Sequence, residues 1–355
     1  MNYKDITEEY AKVLANAKKI MKPACHVCKV CNGVACGGRF TTILEMGSKG
    51  SGSGFYNSFE ALSKIRIALD VIHEDYIPDT SIELFGKKFA LPIFAAPIGT
   101  LLVETALDSP YFNNNDAYAE ALVDGTCAAG GMAWLGDNVK DDYLYGQLKA
   151  VKKAGGMGIP TIKPWGDKEE VKKRVRWSQE AGAIAIATDL DAIGLGYQSA
   201  SPKPVRTKTV EELKELTSSV RKFFIFKGIM SVKSAVKAAE AGAYGIVISN
   251  HGGNIIENSL SPCDVVTGIR EAVGDSLKIF VDGAIRTGED VFKVLALGAD
   301  AALIGRPYVV SVYGGGKEGS FLYTKKLHWE LQNIMRLTDC RNLKEITPDK
   351  VVILK

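Results

Sequence analysis

His251 is the residue of this 355-residue chain best suited to move a proton near neutral pH. It is one of only four histidines, it directly follows the apolar run 244–250 (YGIVISN), and Gly252 and Gly253 clear space beside its ring. Such a histidine can equally be structural, so its setting has to decide. Two further stretches, Asp282-Gly283 through Arg286 and Gly305-Arg306, each combine a glycine that lets backbone come close with an arginine able to grip an anion bidentately. They read either as caps of the helices that follow or as an anion site. A third constellation is Cys25-x2-Cys28-x2-Cys31-x4-Cys36, four of the seven cysteines within a dozen residues. That spacing is too tight for an ordinary disulfide framework and supplies enough thiolates for a tetrahedral zinc or an iron–sulfur cluster, with free thiols the alternative. Its last spacing differs from the bacterial ferredoxin run, and no proline follows Cys36.

These residues need a scaffold, and the chain from residue 91 onward supplies a regular one. Eight apolar runs are separated by helical patterns: 91–98, 126–131, 158–165, 183–190, 223–229, 244–250, 278–284 and 301–307. Continuous rather than alternating apolarity marks strands covered on both faces, as in a parallel sheet wrapped by helices. The intervening segments open on Ser or Thr and close on Ala-Gly-Ala or Leu-Gly-Ala, which are helix start and stop signals. Eight such units predict an α/β fold of the (β/α)8 barrel type. The barrel is expected over 61–355, with an amphipathic final helix at 321–335, and an N-terminal extension with the cysteine cluster over 1–60. The glycine-rich stretch 32–58 reads as a flexible linker, with close approach of its backbone to another group as the alternative. In such barrels function concentrates at the C-terminal strand tips, and the loops after strands seven and eight recurrently hold phosphate. That favours a phosphorylated ligand at Arg286 and Arg306.

Composition narrows the field. Forty-four basic and 41 acidic residues leave a formal charge of +3, too little to argue for nucleic acid or a membrane surface. Basic runs such as 152–153 and 172–174 sit in helical patterns and read as solvated faces. The first twenty residues form a charged amphipathic helix pattern without the apolar core of a signal peptide, and no run of eighteen apolar residues occurs. A cytoplasmic protein is expected.

Three motifs taken together carry a resemblance: KGI at 227–229, SNHGG at 249–253, and VDGAIRTGEDVFKVLALGADAALIGRPYV at 281–309. The chain resembles the FMN-dependent 2-hydroxy-acid oxidases and dehydrogenases, the family of glycolate oxidase and lactate oxidase. The likeness extends more faintly from 91–99 to 339–346. It implies an FMN whose ring rests near the backbone of Ile98 and Gly99, with Lys227 at the ring edge where negative charge collects on reduction. Ser249 would touch the ring or ribityl chain, Asp282 the ribityl hydroxyls, and Gly283, Arg286, Gly305 and Arg306 the phosphate. His251 falls on the family's base and Asp189 on the carboxylate that orients it.

The substrate side departs from the family. Asn254 stands where one substrate-binding arginine is expected and Gly196 near the other, Lys163 replaces a tyrosine, and residues 47–54 lie around a second tyrosine position. Both guanidinium forks that position a 2-hydroxy acid are thereby lost. Lys163 could anchor an anionic substrate as a point charge or pack against the flavin. The resemblance implies a small anionic substrate, an electron acceptor it does not name, and assembly into a homo-oligomer. Two other readings are an FMN-dependent isomerase like type 2 isopentenyl-diphosphate isomerase and a flavin-binding protein without turnover.

Overall fold

The computed structural model describes residues 2–22, 24–36, 38–39, 48–99, 109–111, 114–195 and 203–354. In chain order its principal elements are α1 (Tyr3–Ile20), α2 (Ser53–Ser63), β1 (Ile93–Ala95), α3 (Asn115–Ala128), β2 (Met132–Gly136), α4 (Asp141–Lys153), β3 (Ile159–Ile162) and α5 (Lys168–Glu180). They continue through β4 (Ala185–Asp189), α6 (Val210–Ser218), β5 (Phe223–Lys227), α7 (Val232–Glu240), β6 (Gly245–Ile248), α8 (Pro262–Val273), β7 (Lys278–Val281), α9 (Gly288–Ala296), β8 (Ala301–Ile304) and α10 (Arg306–Leu337). All eight β-strands pair in parallel in sequence order. The ring closes where Ala302, Leu303 and Ile304 meet Ile93, Phe94 and Ala95. The (β/α)8 barrel expected from the sequence is therefore the fold.

Its interior is filled by side chains such as Phe94, Trp134, Ile225, Val247, Phe280 and Leu303, all buried, so the barrel is a packed core and not a pore. A hairpin (82–84 with 87–89) places Phe85 against the rings of Phe223, Tyr244 and Phe280. Since Phe223 opens β5 and Tyr244 precedes β6, this hairpin plugs the N-terminal ends of the strands and leaves the opposite mouth for a site. The helices start where the sequence signals say: capping boxes at Asn2, Thr209, Ser261 and Thr287 satisfy the first backbone N–H groups of α1, α6, α8 and α9. The buried face of α1 packs on α10, with Tyr10 Oη 2.9 Å from Ser311 Oγ and Asn16 Nδ2 donating to the Gly314 carbonyl at 2.7 Å. A further antiparallel pair joins 65–67 to 351–353. No described helix is long and apolar enough to cross a membrane.

Four sequence expectations need correction. Residues 126–128 end α3, and the second strand is the MAWLG segment that follows. Thr126 turns its hydroxyl back to the Leu122 carbonyl (2.8 Å), and the small residues after it end a helix at Gly130, φ +96°. The stretch read as a linker contains α2 from residue 53, because SGFYNSFEALS carries an apolar face that buries Phe55 and Leu62. No separate final helix spans 321–335; it is the second half of α10, bent at Gly316 where φ is +56°. Arg174, read as part of a solvated basic face, is fully buried. Gly196 and part of the 47–54 stretch lie outside the described residues.

Candidate active site

The strands deliver their polar tips to one mouth of the barrel, where β3, β4, β5 and β6 bring five charged or titratable groups together. Asp189, the last residue of β4, accepts Lys163 Nζ on Oδ2 at 2.5 Å and Lys227 Nζ on Oδ1 at 3.0 Å. All three side chains are nearly inaccessible to solvent. Burial opposes ionisation of Asp189, but His251, Lys163 and Lys227 together hold its carboxyl well below the usual range. For Lys227, burial works against the charge, and Asp189, Asp191 and Asp282 outweigh it and raise the ammonium's pKa. His251 Nδ1 lies 3.1 Å from Asp191 Oδ1, 3.4 Å from Lys227 Nζ and 3.6 Å from Asp189 Oδ1. Among the described residues, Asp189, Asp191 and His251 are the one group of three or more potential metal-ligand atoms within 4.8 Å of one another.

His251 reaches this position through a turn that few residues permit. Its own φ is +57°, and Gly252 and Gly253 follow at +63° and +83°, three successive left-handed residues that a chain with side chains at 252 and 253 could form only under strain. Ser249 Oγ accepts the His251 N–H at 3.0 Å. Buried Asn250 ties the turn down, accepting from Gly253 N (3.2 Å) and donating to Ser58 Oγ of α2 (2.9 Å) and the Leu260 carbonyl (3.2 Å). Helix α2 comes so near that a Cβ on Gly54 would lie 2.9 Å from Gly253 Cα. The glycines of this stretch thus serve close approach and not flexibility.

The lysine at the tip of β3 is positioned by a second buried network. Asp137 accepts Lys163 N (3.1 Å), Trp165 Nε1 (2.7 Å) and Arg174 Nε (2.9 Å), with both ends of the Asp137–Arg174 ion pair fully buried. Arg174 also donates to Asp141 Oδ1 at 2.9 Å and to Glu170, and stacks on Trp165 with its guanidinium carbon 4.9 Å from the ring centroid.

On the β7 and β8 side two arginines share one aromatic ring. Arg306 lies 4.0 Å over Phe55 and Arg286 5.2 Å from it. Burial, then the nearby Arg286 charge, pushes Arg306 down to about 10. Arg306 Nη2 donates to the Gly252 carbonyl at 2.8 Å, and Arg286 Nη1 to the Ile285 carbonyl at 2.8 Å. Arg286 Nε and Nη2 and Asp282 Oδ1 are buried and meet no hydrogen-bond partner. Two desolvated guanidiniums beside unsatisfied donors are arranged for an anion carrying more than one oxygen.

A family model for FMN-dependent dehydrogenases matches residues 44–204 and 199–353. The chain belongs to that family. An FMN-dependent alpha-hydroxy acid dehydrogenase of Penicillium citrinum is 35% identical over 312 residues, covering 76% of this chain and 75% of its own length. The 4-hydroxymandelate oxidase of Amycolatopsis orientalis is 27% identical over 324 residues, covering 84% and 89%. The L-lactate oxidase of a Roseobacter species is 36% identical over 141 residues, which spans 38% of that protein. A solved structure of mandelate oxidase with a monooxide FMN adduct superposes with a TM-score of 0.71 at 26% identity, over 86% of this chain and 93% of that one.

FMN is the cofactor of this family, and the residues of this FMN-dependent dehydrogenase fit it. The orphaned groups of Arg286 suit a phosphate, and Asp282 Oδ1 suits a hydroxyl. Gly283 and Gly305 stand at the tips of β7 and β8 beside them. Ile98 and Gly99 follow β1, Gly99 lying against the Asp137 carbonyl. Among the residues singled out by sequence, the mouth gathers Lys163, Asp189, Lys227, Ser249, His251, Asp282, Arg286 and Arg306. Asn254 is close by, but its Nδ2 donates to the His251 carbonyl at 3.0 Å. None of the seven cysteines is in a disulfide. The sulfurs of Cys25, Cys28, Cys31 and Cys36 do not converge within 4.8 Å in any group of three. Their segment is no detached appendage: Gly33 lies against the Phe55 ring, and Cys31 and Cys36 are near enough to Arg306 to favour its charge. Sequence reading missed Asp191, Asp137, Arg174, Asn250 and Phe55. For Asn250 the signal was present, a polar residue inside SNHGG; for Asp191 it was a second carboxylate two residues beyond the strand tip.

Proposed function

We propose that this FMN-dependent dehydrogenase oxidises the CH–OH group of a small hydroxy acid, with His251 as the base. The observation that carries the reading is His251 Nδ1 turned to a carboxylate 3.1 Å away, at the same mouth as Arg286, two of whose buried donors meet no partner, with Arg306 beside it over the Phe55 ring. Arg286, Arg306 and the backbone at Gly283 and Gly305 would hold the FMN phosphate, Asp282 and Ser249 the ribityl chain, and Ile98, Gly99 and Lys227 the ring. FMN, when bound, supplies the acceptor for the hydrogen and electron pair that leave the substrate carbon. His251 has Nδ1 engaged by a carboxylate, which leaves Nε2 to take the proton of the substrate hydroxyl. Lys227 keeps a buried positive charge at the ring edge, where it favours the reduced cofactor. Lys163, tied to Asp189, is the cation nearest the substrate side in a chain lacking the family's two arginines there, and it supports an anionic substrate. Four thiols within one short segment support a thiophilic metal, zinc or an iron–sulfur cluster, at Cys25, Cys28, Cys31 and Cys36. Cysteines without disulfides suit a reducing compartment such as the cytoplasm.

The test is an anaerobic absorbance spectrum of the purified protein before and after adding a panel of 2-hydroxy acids, beginning with L-lactate and 4-hydroxymandelate. Bleaching of the flavin bands by one compound is the expected result, and extra broad absorbance would identify an iron–sulfur cluster. No flavin after reconstitution with FMN overturns the assignment. Substrate conversion without net electron flow would point to an isomerase, and bound FMN that no substrate reduces to a protein without turnover.

A further inference from the structure

Two aspartates, two residues apart, approach the His251 ring from the end of β4, and their surroundings divide the work between them. Both oxygens of Asp189 are already taken by ammonium groups, Lys227 at 3.0 Å and Lys163 at 2.5 Å, and its nearer oxygen stays 3.6 Å from His251 Nδ1. That is beyond an effective hydrogen bond. Asp191 Oδ1 is 3.1 Å from the same nitrogen. Lys227 Nζ, 3.4 Å away, has no lone pair to offer a ring N–H. Asp282 contributes charge to the group without a hydrogen bond to the ring. Among the described residues, Asp191 alone is therefore placed to accept the Nδ1 proton.

The fold makes room for that contact. Beyond Asp189 the chain turns into a 3-10 segment (Leu190–Gly194), which swings the carboxylate at 191 back toward the mouth. At the tip of β5 residue 228 is a glycine, φ +90°, and a Cβ there would lie 2.5 Å from both Asp191 Cβ and Cγ. The Asp191 side chain is nine-tenths buried, so the pair is shielded from competing water.

We propose that Asp191 is the positioning residue for His251. It accepts Nδ1–H and so fixes the tautomer that leaves Nε2 basic, while Asp189 is the counter-ion that clamps Lys163 and Lys227. The proposal rests on His251 being the base, and it moves the orienting carboxylate from the position the family resemblance implies to one two residues later. A carboxylate in that role selects one imidazole tautomer and stabilises the imidazolium once the proton arrives.

The tautomer itself is the readout, because it needs no substrate. FMN-loaded protein with 15N-labelled histidine gives four pairs of ring-nitrogen signals, one pair for each histidine, and His251→Ala identifies the pair in question. In the unmodified protein the Nδ1–H form of neutral His251 is expected in about tenfold or greater excess, as a hydrogen bond to a charged acceptor requires. Asp191→Ala should abolish that excess, and Asp191→Asn, which can present its amide N–H to Nδ1, should reverse it. Asp189→Asn should leave the His251 tautomer in place. Retention of Nδ1–H in both Asp191 variants overturns the proposal, as does its loss in Asp189→Asn alone. Failure of the underlying reading looks different: His251→Ala would then leave flavin reduction intact while the Asp191 hydrogen bond stayed visible.

Discussion

Replacing Arg174 by leucine removes the guanidinium that meets the buried Asp137 carboxylate. Both side chains are fully buried, Nε is 2.9 Å from the carboxylate, and Trp165 stacks on the departing group. Breaking a buried pair from one side leaves the other charge uncompensated and costs about 3–5 kcal/mol. The unfolding entropy of a chain this long is roughly 0.75 kcal/mol/K at about 2.1 cal/mol/K per residue, so Tm should fall by about 4–7 °C. Function should suffer too, because Asp137 also receives the backbone N–H of Lys163 and the indole of Trp165. Thermal unfolding by circular dichroism measures the first effect, and the rate of anaerobic flavin bleaching by substrate measures the second. The double variant Arg174→Leu with Asp137→Asn keeps an acceptor for Lys163 and Trp165 but no orphaned charge, and should recover at least about 1 kcal/mol over Arg174→Leu. A Tm loss under about 1 °C for Arg174→Leu, or a further loss on adding Asp137→Asn, would refute the account of this pair.

Four more outcomes are expected. His251→Ala lowers turnover by about two to four orders of magnitude if it is the base, and steady-state kinetics showing a mild effect would reduce it to a structural role. Lys227→Met lowers FMN affinity or reduction potential; fluorescence titration and spectroelectrochemistry returning unchanged values for both would remove it from the ring edge. Gly54→Ala forces a methyl group onto the Gly253 backbone and should destabilise the fold by about 1–3 kcal/mol in denaturant titrations while loosening FMN retention. Half-buried His328, hydrogen-bonded to Thr80 Oγ1 at 2.7 Å, is pushed down to about 4, first by burial and then by Lys325. The unfolded chain binds that proton near pH 6.5 and the folded one does not, so stability falls as pH drops from about 6.5 toward 4. His328→Gln should shrink the Tm loss between pH 7 and 5, and an unchanged pH slope would exclude His328 as its source.

What the sequence disclosed and what it hid follow one physical line. Lys227, His251, Asp282, Arg286 and Arg306 stand directly after continuous apolar runs, so the strand pattern that defines the barrel also points to its mouth. Asp191 escaped because its position depends on a 3-10 turn and on the missing side chain at 228, and neither leaves a periodic trace. Arg174 sits in a Lys-Lys-Arg run whose lysines are solvated, yet it faces inward with Val171, Val175 and Ser178; charge alone could not reveal a partner 37 residues earlier. Phe55 was masked by the glycines around it, since GSGSG resembles a linker until the fold shows Gly54 pressed against Gly253. The second strand was misplaced because the small residues 126–131 end a helix, and Gly130-Gly131, the stop signal that separates that helix from the five buried strand residues, was counted within the strand.

The docking of α1 on α10 also bears on how the molecule comes to exist. The face of α1 carrying Ile6, Tyr10, Val13 and Ala17 is synthesised long before its resting place, which begins at Arg306, about 290 positions later. At about 5–20 residues per second, translation leaves that greasy stripe without its mate for roughly 15 to 60 seconds. Ring closure waits for the same moment, because β1 has no partner on one edge until β8 is made. Nascent chains of this protein should therefore lean on chaperones until α10 has been made, and a slow codon anywhere between α1 and α10 lengthens the exposure by its own delay.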